Sequence, residues 1–319
     1  MRFITAALIL ITAAFAAAPA RADVLLPPAG KVLAGVTGGL SVDEFARQTG
    51  RRPAVFQFFI SFGDNVDYWF AHAAAAHARP MLHISTVNQA QHEIVTPGQI
   101  AAGREDRWLV QLNRAIKTPT YIRLMAEMDG HWNPYCAYGP DGRPRGSGHS
   151  TAAFRAAWRR VVIIVRGRDV AASLRRAHLA PLRADAATLH PAQVAFLWVP
   201  QVAGAPDIAG NAPRAYWPGA QYVDWVGTDF YSKFPNWNGL DQFYNAFGGK
   251  PFVFGEWALW GSDDPAFVHE LFGWMRRHAR VRMAMYNQGN NGAGPFRLKR
   301  YPRARRALAS ELRAPLFAA

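Results

Sequence analysis

Two glutamates are the residues of this chain best placed to do chemistry. Each ends an apolar run, and each has a tryptophan close behind it. The first lies in Tyr121-Ile122-Arg123-Leu124-Met125-Ala126-Glu127-Met128-Asp129-Gly130-His131-Trp132. Tyr121, Ile122, Leu124 and Met125 give the β-prone or apolar content of a buried strand, and Asp129-Gly130 is a turn signal. The second lies in Lys250-Pro251-Phe252-Val253-Phe254-Gly255-Glu256-Trp257, which has the same design. A strand that ends in Glu delivers a carboxylate to the strand mouth. An indole beside it offers an apolar face with a polar edge, which suits a sugar ring. Two carboxyl groups facing one pocket are what glycoside hydrolysis requires. In the retaining form they stand roughly 5–5.5 Å apart, one as nucleophile and one as acid/base.

Other chemistries fit less well. His131, His149 and His190 lack the spacing of a zinc helix, and Cys136 is the one thiol, so no metal is expected. No Gly-x-Ser-x-Gly elbow occurs. Gly35-Val36-Thr37-Gly38-Gly39 does not have dinucleotide spacing, and no cofactor is expected. Gly289-Asn290-Asn291-Gly292-Ala293-Gly294 reads as a plain loop rather than a phosphate cradle. Asp106 and Arg107 read as the surface opening of an amphipathic helix, with a helix-anchoring role as the alternative.

The elements that must carry the glutamates alternate along the whole chain. Strands are expected over 32–36, 53–62 and 80–85, then a fourth ending at Glu127, then 194–199, 223–231, 251–256 and 281–286. Between them, helices are expected from the capping box at Ser41, then over 66–77, 104–116, 151–166, 240–247 and 264–278, with 303–312 closing the chain. Eight strand–helix alternations predict an α/β fold, a single-domain (β/α)₈ barrel over 23–319. A doubly wound open sheet is the alternative. In such a barrel, catalytic groups sit at the C-terminal strand ends. Strand ends rich in sugar-binding groups support this: Trp198, Asp229 to Tyr231, and Tyr286-Asn287-Gln288, with Trp132, Trp257 and Trp260 near the glutamates. The stretches 166–191 and 201–218 have no clear pattern.

Residues 1–22 read as a secretory signal peptide. Arg2 is the charged start, 3–18 the apolar core, and Ala20-Arg21-Ala22 the cleavage site. The apolar run is too short for stable membrane insertion. Cleavage removes two arginines and no acid, so the formal charge falls from +14 to +12. A secreted or periplasmic protein this basic is expected to adhere to anionic envelope polymers. The arginines are scattered, so nucleic acid is not an expected partner.

The run from Ile100 to Glu256 resembles glycoside hydrolase family 26, the β-mannanase family among the retaining (β/α)₈ glycosidases. The resemblance rests on Tyr121-Ile122-Arg123 leading to Glu127-Met128-Asp129-Gly130 and Trp132, then Phe154-Arg155-Ala156-Ala157-Trp158-Arg159. It continues through Trp198-Val199-Pro200, Tyr216-Trp217-Pro218-Gly219, Val223-Asp224-Trp225-Val226-Gly227-Thr228-Asp229 and Lys250-Pro251 to Glu256. It implies an exported retaining endo-β-glycosidase acting on a β-linked, mannan-like polysaccharide, with Glu127 as acid/base and Glu256 as nucleophile. It also implies that the Tyr231 phenol contacts the nucleophile and that Trp132 and Trp198 line sugar subsites. With Trp257 and Arg123 these are the expected substrate-binding residues. Ala126 departs from the family, which usually has His there, so a polar partner for Glu127 is either missing or comes from elsewhere. Pro200-Gln201 stands where Pro-Asn is common. Two other readings are a hydrolase of an acidic exopolysaccharide, favoured by the charge, and a non-catalytic carbohydrate-binding barrel, favoured by Ala126.

Overall fold

The computed structural model describes residues 25–38, 42–185, 189–289 and 294–318. The leader at 1–22, the cleavage point, the Ser41 cap and most of the glycine–asparagine loop after Asn287 lie outside the described residues. In chain order the elements are β1 (Val32–Thr37), α1 (Val42–Thr49), β2 (Val55–Ser61), α2 (Val66–Ala75), β3 (Arg79–Ser85), α3 (Pro97–Ala101), α4 (Asp106–Ala115) and β4 (Thr120–Leu124). Then come α5 (Thr151–Arg166), α6 (Val170–Arg176), β5 (Val194–Trp198), β6 (Trp225–Tyr231), α7 (Trp237–Ala246) and β7 (Phe252–Ala258). The chain ends with α8 (Pro265–Arg277), β8 (Val281–Asn287), α9 (Pro302–Leu312) and β9 (Phe317–Ala318).

Each strand from β1 to β8 pairs in parallel with the next, and β1 also pairs with β8. That closes the expected (β/α)₈ barrel. The strands read as near-continuous apolar runs because both faces are covered. Inward residues such as Leu33, Val55, Met81, Tyr121, Leu197, Trp225, Val253 and Met283 fill the bore. Their neighbours in sequence, among them Ile122, Phe196, Val226 and Phe254, pack outward under the helices. The fit is close: a Cβ on Gly35 would lie 2.1 Å from the Met285 Sδ. β9 pairs with β1 through Val32 and Leu33, bringing the chain's end back beneath the barrel. Among the described residues no helix is long and apolar enough to cross a membrane.

Three local readings need correction. β4 stops at Leu124 rather than running to Glu127. The unpatterned stretch 166–191 contains α6, and a short capped helix, α3, precedes α4. Asp106 is not at the surface: it is 1% exposed. Its two oxygens take a forked pair of bonds from Arg160 on α5, at 2.7 and 2.6 Å, and one oxygen also accepts from the Arg183 backbone N–H at 2.7 Å. Polar residues in the first turn usually face water, but here a buried arginine on the next helix claims the carboxylate.

Candidate active site

At the C-terminal end of the bore the inward residues turn from apolar to polar. Glu256 is delivered there by a bulge in β7. The β6–β7 register runs Thr228 to Phe254 and then Asp229 to Glu256, so Gly255 is skipped. A bulge of this kind re-aims the side chain that follows. Only glycine fits at its apex, since a Cβ on Gly255 would lie 2.8 Å from Arg123 Nε and 2.9 Å from Asp229 Oδ1. The Glu256 carboxylate is buried and held on both oxygens. Oε1 accepts from Arg123 Nη1 at 2.5 Å and from Gln57 Nε2 at 3.5 Å. Oε2 accepts from the Tyr231 hydroxyl at 2.5 Å and from Asn287 Nδ2 at 2.6 Å. These donors come from β4, β2, β6 and β8, so four strands fix one carboxylate. The other arm of Arg123 pairs with Asp229.

Glu127 is held differently. Beyond β4 the chain bonds alternately to its two neighbours. The Met125 N–H donates to the Ile84 carbonyl at 2.8 Å, and the Glu127 N–H donates to the Val199 carbonyl at 2.7 Å. To do so, Met125 and Glu127 take φ of 40° and 51°. Left-handed backbone in residues with side chains costs about 1–3 kcal/mol each, and such strain gathers at functional sites. Glu127 Oε2 accepts from the Trp132 indole N–H at 2.8 Å, and Oε1 accepts from Gln201 Nε2 at 2.6 Å. Gln201 and Trp132 therefore supply the polar partners that Ala126 cannot.

The electrostatics separate the two carboxyls' surroundings. Loss of water pushes the Glu127 pKa up, and the negative charge of Glu256 adds to it, while Arg123 and the Trp132 bond oppose. Burial also raises Asp229, against the pull of Arg123, and the charges of Glu256 and Glu127 add to it. Burial and the Glu256 charge raise the Tyr231 phenol, keeping it a hydrogen-bond donor. Burial and then Arg123 hold His83 well below its ordinary value. Its Nδ1 accepts from Arg123 Nη1 at 2.8 Å, which puts the ring proton on Nε2.

Of the residues expected to form the site, Glu127, Glu256, Tyr231 and Arg123 come together in one cluster. Trp132 stands at the mouth, 52% exposed. Two expectations are overturned. Trp198 is fully buried and packs against Trp217 and Phe247, with ring centroids 4.9 and 4.8 Å away. Trp257 packs against Phe272 and Tyr286 under the helices. The reason is strand parity: each follows an inward residue, Leu197 or Glu256, and so points outward. No sugar reaches either ring. Arg123 is also 1% exposed and spent on two carboxylates, so it positions them rather than contacting substrate. The half-buried Trp260 meets Tyr231, Phe234 and Phe296 edge to face instead.

The sequence reading passed over Gln57 and His83 as site residues, named Asp229 and Asn287 only among the polar groups at strand ends, and noted Gln201 only as a departure from the family. A signal was present for two of them: Gln57 lies between Phe56 and Phe58, and His83 between Leu82 and Ile84. A lone polar residue inside an apolar barrel strand points into the bore. Gln201 had no such signal, since it lies in irregular chain.

Fold and site together define a (β/α)₈ barrel with a cluster of carboxyls at its C-terminal mouth. No family model and no curated protein matches the sequence. Solved structures do share the fold. A mannanase from Bacillus subtilis superposes with a TM-score of 0.59 at 13% identity, over 91% of this chain and 87% of its own. A family 26 β-mannanase from Bacteroides ovatus gives 0.58 at 15% identity, over 91% and 90%. The GH26A protein of a Muricauda species gives 0.57 at 16% identity, over 91% and 92%.

Proposed function

We propose that this protein is a retaining glycoside hydrolase of the family 26 type, cleaving a β-linked polysaccharide of the mannan class. One observation carries the reading. At the mouth of a barrel, Glu256 is fixed by donors from four strands, while Glu127, beside it electrostatically, has its pKa raised. Two carboxyls with unlike environments are what an acid/base and nucleophile pair needs. The mannanases among the structures of this fold and the exposed Trp132 support the substrate class.

In the first half-reaction Glu127 gives its proton to the leaving glycosidic oxygen as a Glu256 oxygen bonds the anomeric carbon. The Glu256 negative charge then disappears, and with it one cause of the raised Glu127 pKa. Glu127, now a carboxylate, takes a proton from water, which attacks the anomeric carbon and frees Glu256. Configuration is retained because it is inverted twice. The leader motif at 1–22 supports export of the enzyme, and N-terminal sequencing of protein from its host should find a start at Asp23 rather than Met1.

The test of the site is chemical rescue. Glu127→Ala should lower polysaccharide cleavage by ~10²–10⁴ yet still be glycosylated by an activated aryl glycoside. Azide should restore its turnover and give a glycosyl azide of retained configuration. Glu256→Ala should form no covalent intermediate, and with azide it should give only inverted product. Retained product from Glu256→Ala, or undiminished hydrolysis by both variants, rejects the assignment. Reducing-sugar release from mannan, mixed-linkage glucan, xylan and anionic polysaccharides fixes the substrate. The basic surface favours the anionic arm as the second reading, and no release from any of them rejects catalysis.

A further inference from the structure

On the reading that Glu127 is an acid/base, it has to be a carboxylic acid in one step and a carboxylate in the next. The two groups that hold it differ in what they can accept. Trp132 presents an indole N–H, which donates and cannot accept. Gln201 presents a primary amide, which has a donor end and an acceptor end. In the structure it is the donor end that faces Glu127 Oε1, at 2.6 Å. That arrangement suits a carboxylate. A Glu127 O–H aimed at Gln201 would meet an N–H head on and find no acceptor there; Asp229 is the other carboxyl close enough to take it.

Gln201 is built into position rather than lying there loosely. Its backbone N–H donates to the buried Asp129 Oδ1 at 2.9 Å. The Asp129 carbonyl accepts from the Ala205 N–H and from Asn211 Nδ2, both at 2.8 Å. Two residues before Gln201, the Val199 carbonyl takes the Glu127 N–H. The backbone of Gln201 is thus tied to the segment 127–129, on both sides of its side chain. That side chain is only half-buried, so the terminal amide has room to turn where its backbone does not.

We infer that Gln201 is the positioning residue of Glu127, and that its amide reverses between the two half-reactions. With Glu127 protonated, the amide carbonyl accepts the carboxyl O–H and holds its proton in place. Once that proton has gone to the leaving oxygen, a half-turn about the terminal torsion brings the N–H to the carboxylate. When Glu127 takes a proton from water, the amide turns back. Trp132 stays on Oε2 as a fixed donor throughout. No electron or atom is gained by Gln201, only the direction of one hydrogen bond.

The ionisable groups that face Glu127 are Arg123 on β4, Asp129 and Tyr135 in the loop that follows it, Asp229 and Tyr231 on β6, and Glu256 on β7. All of these side chains are retained when Gln201 is replaced, and the neutral Gln201→Met variant, which adds no charge to act on them, reports on the Gln201 contact itself. The experiment follows the Glu127 carboxyl by carbon NMR in protein labelled at the glutamate δ-carbon, without substrate. Glu127→Gln identifies the resonance. Gln201→Lys, a donor only and cationic, should lower the titration midpoint by ~1 unit or more, and Gln201→Glu should raise it similarly. Gln201→Met, neutral and of the same length, should raise it by less, and it keeps the test intact if a charged variant fails to fold.

In kinetics, Gln201→Lys cannot accept from the carboxyl O–H. It should slow polysaccharide cleavage about tenfold or more while sparing glycosylation by an activated aryl glycoside, the step that needs little acid. Equal losses on both substrates overturn the reversal. Midpoints unmoved in all three Gln201 variants overturn the positioning role. The NMR midpoint needs no turnover, so the two readings fail separately. Shifted midpoints in a protein that cleaves no glycoside reject the glycosidase proposal and leave the Gln201–Glu127 contact standing.

Discussion

Three tryptophans proposed for sugar binding show how much a single residue's direction matters. Trp132, Trp198 and Trp257 are all close in sequence to strand ends, but only Trp132 faces the mouth. Its indole N–H bonds Glu127, and its ring lies so near Gly130 that a Cβ there would come within 2.4 Å of it. Trp132→Ala is expected to leave the fold intact and to lower polysaccharide turnover, through the lost ring face and the lost bond to Glu127. Trp198→Ala should do the reverse. Removing a fully buried large ring typically costs about 3–5 kcal/mol. The value should fall at the low end, because Trp198 Nε1 is buried without a partner among the described residues and its removal relieves that. Urea denaturation and sugar binding, measured on both variants, check the pair. A Trp198 variant of unchanged stability would place that ring in the cleft.

At the scale of the element, the strands differ in how they end, and the ends make the site. β4 is followed by two left-handed residues, Met125 and Glu127, and β7 carries a bulge. Both devices are local breaks in regular pairing that turn a side chain toward the mouth. The β7 bulge depends on Gly255, whose missing side chain leaves space for Arg123 to reach Glu256 and Asp229. Gly255→Ala forces the Arg123 guanidinium or the Asp229 carboxyl to move by several tenths of an ångström. Overpacking of this kind costs about 1–3 kcal/mol. The larger effect is expected on kcat, since Arg123 holds Glu256 directly. An unchanged kcat in a folded Gly255→Ala protein would show that Arg123 has slack. This break was hidden in the sequence, where Phe252 to Glu256 reads as one smooth strand. Glycine after three apolar residues hints at a bulge, but it does not say which partner needs the room.

At the scale of the whole molecule, the buried titratable groups set how stability responds to pH. Burial raises Asp129 well above the ordinary carboxylate value, and it raises Asp229 and Glu127 too. For a raised carboxyl the fold prefers the protonated form. The stability it contributes is fully present below the unfolded value, near 3.8 for Asp129, and is lost as pH rises through the folded value. His83 works in the opposite sense. Its folded value is depressed, so its contribution is present above about 6.5 and is lost as pH falls toward the folded value. Asp129→Asn keeps an Oδ1 to accept from Gln201 and cannot ionise. Its melting temperature should therefore fall less than that of the parent between about pH 5 and about pH 8. Calorimetry at both pH values checks this, and parallel curves would mean that folded Asp129 is already ionised at about pH 5, so that its pKa is not raised into this range.

What the sequence determined by itself was whatever depends on local pattern. Apolar runs of strand length alternating with amphipathic helices are a property of consecutive residues, and they sufficed for the barrel. Glu127 and Glu256 were legible for the same reason, as carboxylates at the ends of such runs. Tertiary structure decided what depends on which side chain meets which. Arg123, read as a substrate contact, is consumed by Glu256 and Asp229 from β7 and β6, more than a hundred residues away. Asp106, read as surface, is claimed by Arg160 on another helix. Gln201 gained its place beside Glu127 only because β4 and β5 are neighbours whose loops bond to each other. A side chain's partner is set by the path of the whole chain, and closure of the barrel brings eight distant strand ends to one rim.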